Sequence, residues 1–380
     1  MHRDEQISIL QDIIKIKSVN GNEREVALYL QRLLANHGIP SKLIDYAENR
    51  SNLVAEIGQG ERVLGFTGHM DVVDPGDQDL WTYEPFSAQI EGTKLYGRGS
   101  TDMKSGLAAM VIAMIELKEE GAPLEGKIRL LATVGEEVGE LGAEQLTKAG
   151  YGDDLSGLII GEPSNYNLIY THMGSINYTV TSIGKEAHSS MPVQGINAIN
   201  NLMAFMVEIN RQMTAITEKY QDEVLGRTIH NLTVINGGNQ VNSIPGEATV
   251  QGNIRSLPEF DNDQLITILE KTVAQCNQEK DTQLKLVIDY NKIPVKSPKE
   301  SHLIQTIQSV HQQKTGETMP LLGVAGTTDA AEFTKSHHHF DFVVFGPGQP
   351  DLPHKVNEYV EIDNYLDMID TYKLVVRQYL

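Results

Sequence analysis

Two histidines and five carboxylates stand in five short segments whose residue types suit metal-assisted hydrolysis: Gly68-His69-Met70-Asp71, Ser100-Thr101-Asp102, Gly135-Glu136-Glu137, Gly161-Glu162-Pro163 and Pro353-His354-Lys355. Two divalent ions that share a bridging group need about four protein ligands each, and the nitrogen and oxygen donors of His, Asp and Glu suit zinc, manganese or cobalt. His69, Asp102, Glu137, Glu162 and His354 can supply them. Glu136, beside one of these, is the natural base for a water activated by the metals. In His69-Met70-Asp71, alternate residues at a strand end face one side, so Asp71 can accept the free imidazole N–H and fix the metal-binding tautomer. Each segment alone has an ordinary reading, such as a buried His–Asp pair, an Asp capping a helix or an acidic pair opening one. Their conjunction is what carries the argument.

The elements that must position these groups are legible as runs and stripes. Ile7, Leu10, Ile13 and Ile14, then Val26, Tyr29, Leu30, Leu33 and Leu34, recur at helical spacing, with Gly38 as a stop. Strand-like runs follow at 53–57, 63–67, 128–134, 158–160 and 342–345, interleaved with helical stretches such as 105–119. This predicts an α/β sheet protein. His69, Glu136, Glu137 and Glu162 come just after the carboxyl ends of such runs, where open α/β sheets place their sites.

The middle of the chain has another rhythm. A strand at 176–183, a helical stripe from Ile199 to Met213, strands near 229–235 and 248–254, a second stripe from Leu265 to Cys276 and a strand at 284–288 give the order βαββαβ, a ferredoxin-like unit. Because this unit separates Glu162 from His354, the catalytic domain is expected to be discontinuous, residues 1–174 and 290–380, with 175–289 inserted.

Composition excludes several classes. With 31 basic and 51 acidic residues the formal charge is −20, which argues against nucleic-acid binding. No apolar run approaches the roughly 20 residues needed to span a bilayer, and the amino terminus shows no secretion signal, so no membrane partner and a cytoplasmic location are expected. The single cysteine, Cys276, allows no internal disulfide. The Gly-rich segment 97–106 fits neither the dinucleotide fingerprint nor the P-loop. The triplet His337-His338-His339 reads as a solvated surface stretch. His188, after the first strand of the inserted unit, is a candidate oxyanion donor, and Asn242 and Arg255 are candidates for a substrate carboxylate.

Taken together, Gly68-His69-Met70-Asp71-Val72-Val73, the run from Leu95 to Gly106, Gly135-Glu136-Glu137, Gly161-Glu162-Pro163, Gly184-Lys185-Glu186-Ala187-His188-Ser189 and Pro353-His354-Lys355-Val356-Asn357-Glu358 resemble the co-catalytic zinc amidohydrolases, the family that includes acetylornithine deacetylase, succinyl-diaminopimelate desuccinylase, aminoacylase and the glutamate carboxypeptidases. The likeness extends over essentially the whole chain. It implies a zinc-peptidase-like α/β catalytic domain whose inserted unit is a lid and dimer contact, giving a homodimer. It implies that Asp102 bridges two metals, that His69 and Glu162 complete one site and Glu137 and His354 the other, that Glu136 is the base, that Asp71 orients His69, and that the Asp102–Met103 peptide is cis. His188 would stabilise the oxyanion, and Asn242, Arg255 and Thr327 would hold the substrate's carboxylates. The stretches Gly68 to Asp77 and Trp81 to Phe86 are similar to the desuccinylase and deacetylase branch. The substrate so implied is a small N-acyl amino acid, N-succinyl-diaminopimelate first, with N-acetylornithine or a dipeptide as alternatives, and an inactive binding protein on the same fold as the non-enzyme alternative. One segment departs from the pattern: Thr327-Thr328-Asp329-Ala330-Ala331 stands where a desuccinylase is expected to carry Thr-Ser-Asp-Gly-Arg.

Overall fold

The computed structural model describes residues 1–121 and 123–380 and divides into two compact units. The first comprises Met1–Tyr170, Ser297–Leu322 and Thr328–Leu380; the second comprises Thr171–Lys296 with Gly323–Thr327.

The first unit is built on a mixed sheet. Its strands run in the order Ser41–Ala47, Arg50–Gly58, Lys127–Thr133, Val63–His69, Gly157–Ile160, Asp341–Val344 and the strand that begins at Leu168. The four central strands, from Lys127–Thr133 to Asp341–Val344, are mutually parallel. They read as continuous apolar runs because both faces are covered, and Val63–His69 is buried along its whole length. Beside this sheet lies the helix Ser105–Glu120, buried on every side from Ser105 to Leu117, so it shows no amphipathic stripe. The one charge in that stretch, Glu116, accepts hydrogen bonds from Gln6 Nε2 (2.8 Å) and Lys373 Nζ (2.5 Å). Helices Arg3–Lys15 and Ile362–Tyr379 pack against it. Among the described residues no helix is long and apolar enough to cross a membrane.

The second unit contains the βαββαβ order: strand Gly174–Ile183, helix Ala198–Lys219, strands Ile229–Gly237 and Glu247–Ser256, helix Asn262–Cys276 and strand Leu284–Lys292. Its four long strands form one sheet, all neighbours antiparallel, with Gly174–Ile183 and Glu247–Ser256 in the centre. Alternation on the central strands puts Ile176, Tyr178, Val180, Val250 and Ile254 into the core, where they meet Leu202, Phe205, Ile209, Leu265 and Leu269 of the helices. Asp261 caps the second helix in a capping box with Gln264.

One buried histidine of this unit makes stability depend on pH. His172 is fully buried and donates from Nδ1 to the Met173 carbonyl (2.8 Å). Burial penalises its charged form and pulls its pKa down to about 4. The unfolded chain takes up this proton below the ordinary histidine value of about 6.5, whereas the folded chain does so only near the lowered one. Stability therefore falls with acidification across that window, by up to about 1.4 kcal/mol per pH unit from this group. Urea unfolding of metal-free protein between pH 7 and 5 should show a shallower dependence for His172→Asn than for wild type. Equal slopes would remove His172 as the cause.

Candidate metal centre

The parallel strands deliver their carboxyl ends side by side. His69 is the last residue of its strand and lies opposite Thr133, and Thr67 of the same strand lies opposite Ile160. The chain therefore leaves the sheet at neighbouring points into His69–Asp71, Gly135–Glu137 and Gly161–Glu162. Asp102 sits in a tight turn before the buried helix, and its peptide to Met103 is cis.

The side chains of these segments converge. His69 Nε2 lies 3.1 Å from Asp102 Oδ1 and 3.3 Å from Glu162 Oε1. His354 Nε2 lies 2.9 Å from Glu137 Oε2 and 3.6 Å from Asp102 Oδ2. Donor atoms of His69, Asp102 and Glu137 lie within 4.8 Å of one another, as do those of His69, Glu136 and Glu162. All five expected ligands and the expected base thus meet in one cluster, with Asp102 facing both imidazoles. His69 is fully buried, whereas the His354 side chain is 55% exposed, which gives the cluster an open side.

The donor set fits a cation. His69 Nδ1 hydrogen-bonds the backbone carbonyl of Asp71 at 2.9 Å, so that nitrogen carries the proton and a neutral ring turns its Nε2 lone pair toward two carboxylates. A lone pair facing carboxylate oxygens is repulsive unless a proton or a metal ion lies between them. The electrostatics of the cluster point the same way. Burial opposes the charging of His69, yet Glu162, Asp102 and Asp71 outweigh it and raise its pKa well above the usual range. Burial and then the charge of Asp102 push Glu162 up to about 8. Burial, reinforced by Glu162, Glu137 and Asp329, lifts Glu136 well above the ordinary carboxylate range. Positive charge is what this cluster lacks.

Asp71 is in place, but through a different atom from the one expected. Its backbone carbonyl, not its carboxylate, receives the His69 proton; the nearer carboxylate oxygen is 3.6 Å from Nδ1. The carboxylate instead accepts from the backbone N–H groups of Glu136 and Glu137, both at 3.2 Å. Asp71 therefore orients the ring and holds the loop that carries the base and a ligand. That loop has further supports which no local pattern announced. Asn52 Oδ1 accepts from Val134 N (2.9 Å), and Arg50, paired with the buried Glu23 (2.6 Å), approaches so closely that a Cβ on Gly135 would meet its Nη2 at 2.5 Å.

The Glu162 turn is placed by another glycine. A Cβ on Gly106, in the first turn of the buried helix, would stand 1.9 Å from the Gly161 carbonyl oxygen, a backbone atom that cannot swing away. Overpacking of a rigid core costs about 1–3 kcal/mol, and here the displaced residue precedes a ligand. Gly106→Ala should therefore lower the denaturant midpoint and weaken metal binding together. Loss of neither would mean that helix and turn can separate freely.

His188, Asn242, Arg255 and Thr327 belong to the second unit. There the short strand Ala187–His188 pairs with Ser243–Ile244, and Ser189 N donates to the Asn242 carbonyl, so His188 and Asn242 are neighbours. The N–H of Ser190 donates to His188 Nδ1 (3.2 Å), and Ser190 Oγ lies 2.8 Å from the same nitrogen, while the His188 side chain is exposed. Arg255 is half-buried on Glu247–Ser256. His337, His338 and His339 are all exposed.

The sequence profile of peptidase family M20/M25/M40 matches residues 65–378. A probable succinyl-diaminopimelate desuccinylase of Staphylococcus epidermidis is 41% identical, with 100% of this chain and 99% of that protein covered. An acetylornithine deacetylase of Buchnera aphidicola is 27% identical over 93% of each. Among solved structures, aminopeptidase PepT from Bacillus cereus superposes with a TM-score of 0.79 at 19% identity, covering 100% of this chain and 99% of that one. At that identity the likeness speaks for the fold alone. The profile match and the end-to-end identity speak for descent, and with the clustered donors they make the chain a member of peptidase family M20/M25/M40, a metal-dependent hydrolase of amide bonds.

Proposed function

We propose that this enzyme removes the succinyl group from N-succinyl-LL-diaminopimelate, giving succinate and LL-diaminopimelate, with two zinc ions as its metals and cobalt or manganese as possible substitutes. The observation that carries the substrate is the 41% identity to the staphylococcal protein over the full length of both chains. N-acetylornithine is the second reading, from the weaker 27% relative.

In this reading Asp102 would serve both ions, His69 and Glu162 would hold one, and Glu137 and His354 would hold the other. Ions so held would polarise the amide carbonyl and lower the pKa of water toward neutrality. Glu136 takes the proton from the attacking water and returns it to the leaving nitrogen as the C–N bond breaks, so that the products are a carboxylate and an amine. Burial and the surrounding carboxylates suit it to this task, because they raise its affinity for a proton. His188 supplies an N–H donor to the developing oxyanion. Asn242, Arg255 and Thr327 read the substrate's carboxylates. Ala331, fully buried, stands where the related pattern has arginine, and in this reading Arg255 serves that task.

A homodimer through the second unit accompanies this reading. Its edge strand Ile229–Gly237 exposes Ile229, Val234 and Ile235, and the helix Ala198–Lys219 exposes Met203 and Val207. An apolar edge of this kind is normally covered.

The deciding experiment is amine release by zinc-loaded protein from N-succinyl-LL-diaminopimelate and N-acetylornithine side by side, with Glu136→Gln as blank. A strong preference for the succinyl amide is expected. Preference for the acetyl amide would reassign the enzyme, and activity on neither would move the search to dipeptides.

A further inference from the structure

The segment that ends in Glu358 carries an acid for which the mechanism above has no use. Glu358 is fully buried, and four N–H groups converge on its carboxylate. Thr101 N (2.8 Å) and Asp102 N (3.0 Å) donate to Oε1, while Gly99 N (3.0 Å) and Arg98 Nη1 (2.7 Å) donate to Oε2. Arg98, 2% exposed and lying over the Trp81 ring, reaches the opposite way. Its Nη1 donates to the Lys355 carbonyl (3.1 Å) and its Nη2 to that of His354 (3.3 Å). The turn that carries Asp102 therefore sends out the side chain that holds the His354 turn, and the His354 turn returns the one that holds the Asp102 turn.

Both turns need such restraint. Gly99 has φ 85°, and His354 and Asn357 adopt φ 64° and 58°, backbone that L-residues with side chains seldom choose unaided. The strands Lys94–Tyr96 and Tyr359–Glu361 pair with Tyr96 opposite Tyr359, so the turns start in register, and the crossed side chains carry that register up to the ligands. A buried ion pair by itself adds little stability. Apart from the bond from Gly99 N, the remaining hydrogen bonds of this pair go to the backbone of Asp102 and His354 or of the residue next to each.

We infer that Arg98 and Glu358 are positioning residues that fix the separation of Asp102 from His354, and so set the affinity of the metal position those two share with Glu137. This rests on the two-ion reading above. Among the described residues no hydrogen bond joins the crossed pair to His69 or Glu162, so the other position, which it reaches only through the shared Asp102, depends on it less.

Zinc titration of metal-free protein, followed by calorimetry, tests the assignment in wild type, Arg98→Lys and Glu358→Gln. Lysine keeps the charge beside Glu358 but cannot fork to two carbonyls. Arg98→Lys should bind one ion as wild type does and the other about 10–100-fold more weakly, the range for residues that orient metal ligands. Glu358→Gln, which loosens the turn of the shared Asp102, should weaken the binding of both ions, that at the His354 position the more. In a His354→Ala background, adding Arg98→Lys should leave the remaining ion's affinity unchanged. Wild-type affinity for both ions in Arg98→Lys, or equal weakening of both, overturns the assignment. A wild-type protein that takes one ion overturns the two-ion reading and the assignment with it. Thermal unfolding of each metal-free variant reports the fold; should Glu358→Gln fail to fold, Arg98→Lys alone decides.

Discussion

Replacing Glu136 by Gln should leave the metal bound and lower kcat for amide hydrolysis by about 100- to 10,000-fold, the range for loss of a general base. The substitution keeps the shape of the side chain and removes only its ability to take a proton. KM should change little, because Glu136 is expected to act on the water rather than on the substrate. The alternative to be separated is that Glu136 is itself a ligand, since its donor atom lies within 4.8 Å of those of His69 and Glu162. Zinc content distinguishes the two. Loss of activity with both ions retained assigns a base; loss of one ion with the activity assigns a ligand. Normal turnover would take Glu136 out of the chemistry.

What made these residues findable was their position at strand ends. The runs at 63–67, 128–134 and 158–160 became Val63–His69, Lys127–Thr133 and Gly157–Ile160, and an acid or imidazole just beyond such a run has few places to be except the carboxyl edge of the sheet. Less visible was everything that holds those residues still. Glu358 collects N–H groups from residues 256–260 positions away, and Arg98 grips carbonyls 256 and 257 positions away. Neither partner leaves a periodic trace. The strands Gln89–Glu91, Lys94–Tyr96 and Tyr359–Glu361 that align the two turns are three residues each, too short for alternation to register. With Asp71 the residue could be anticipated but not the acceptor atom, because the choice between carbonyl and carboxylate depends on how sharply the chain bends after His69. Gly106 looked like any small residue opening a helix. Its purpose appears only when the Gly161 carbonyl is found where a Cβ would be.

Asp102→Asn should cost more metal than any other single exchange at this centre. The two oxygens of Asp102 face different imidazoles, Oδ1 toward His69 Nε2 (3.1 Å) and Oδ2 toward His354 Nε2 (3.6 Å). Asparagine preserves the outline but turns one oxygen into an NH₂ group that cannot ligate, and removes the charge that both positions would share in the two-ion reading. Exchange of a residue that merely orients a ligand costs about 10–100-fold in metal affinity, so loss of a shared ligand should exceed about 100-fold at each position and abolish turnover at ordinary zinc concentrations. His354→Ala provides the contrast, since it should weaken one ion and spare its neighbour. Zinc stoichiometry by equilibrium dialysis, with near-ultraviolet circular dichroism to verify the fold, separates the cases. One ion bound to Asp102→Asn with wild-type affinity would mean that Asp102 serves a single position and that another carboxylate joins the two, with Glu137, whose donor atom lies within 4.8 Å of those of His69 and Asp102, a candidate.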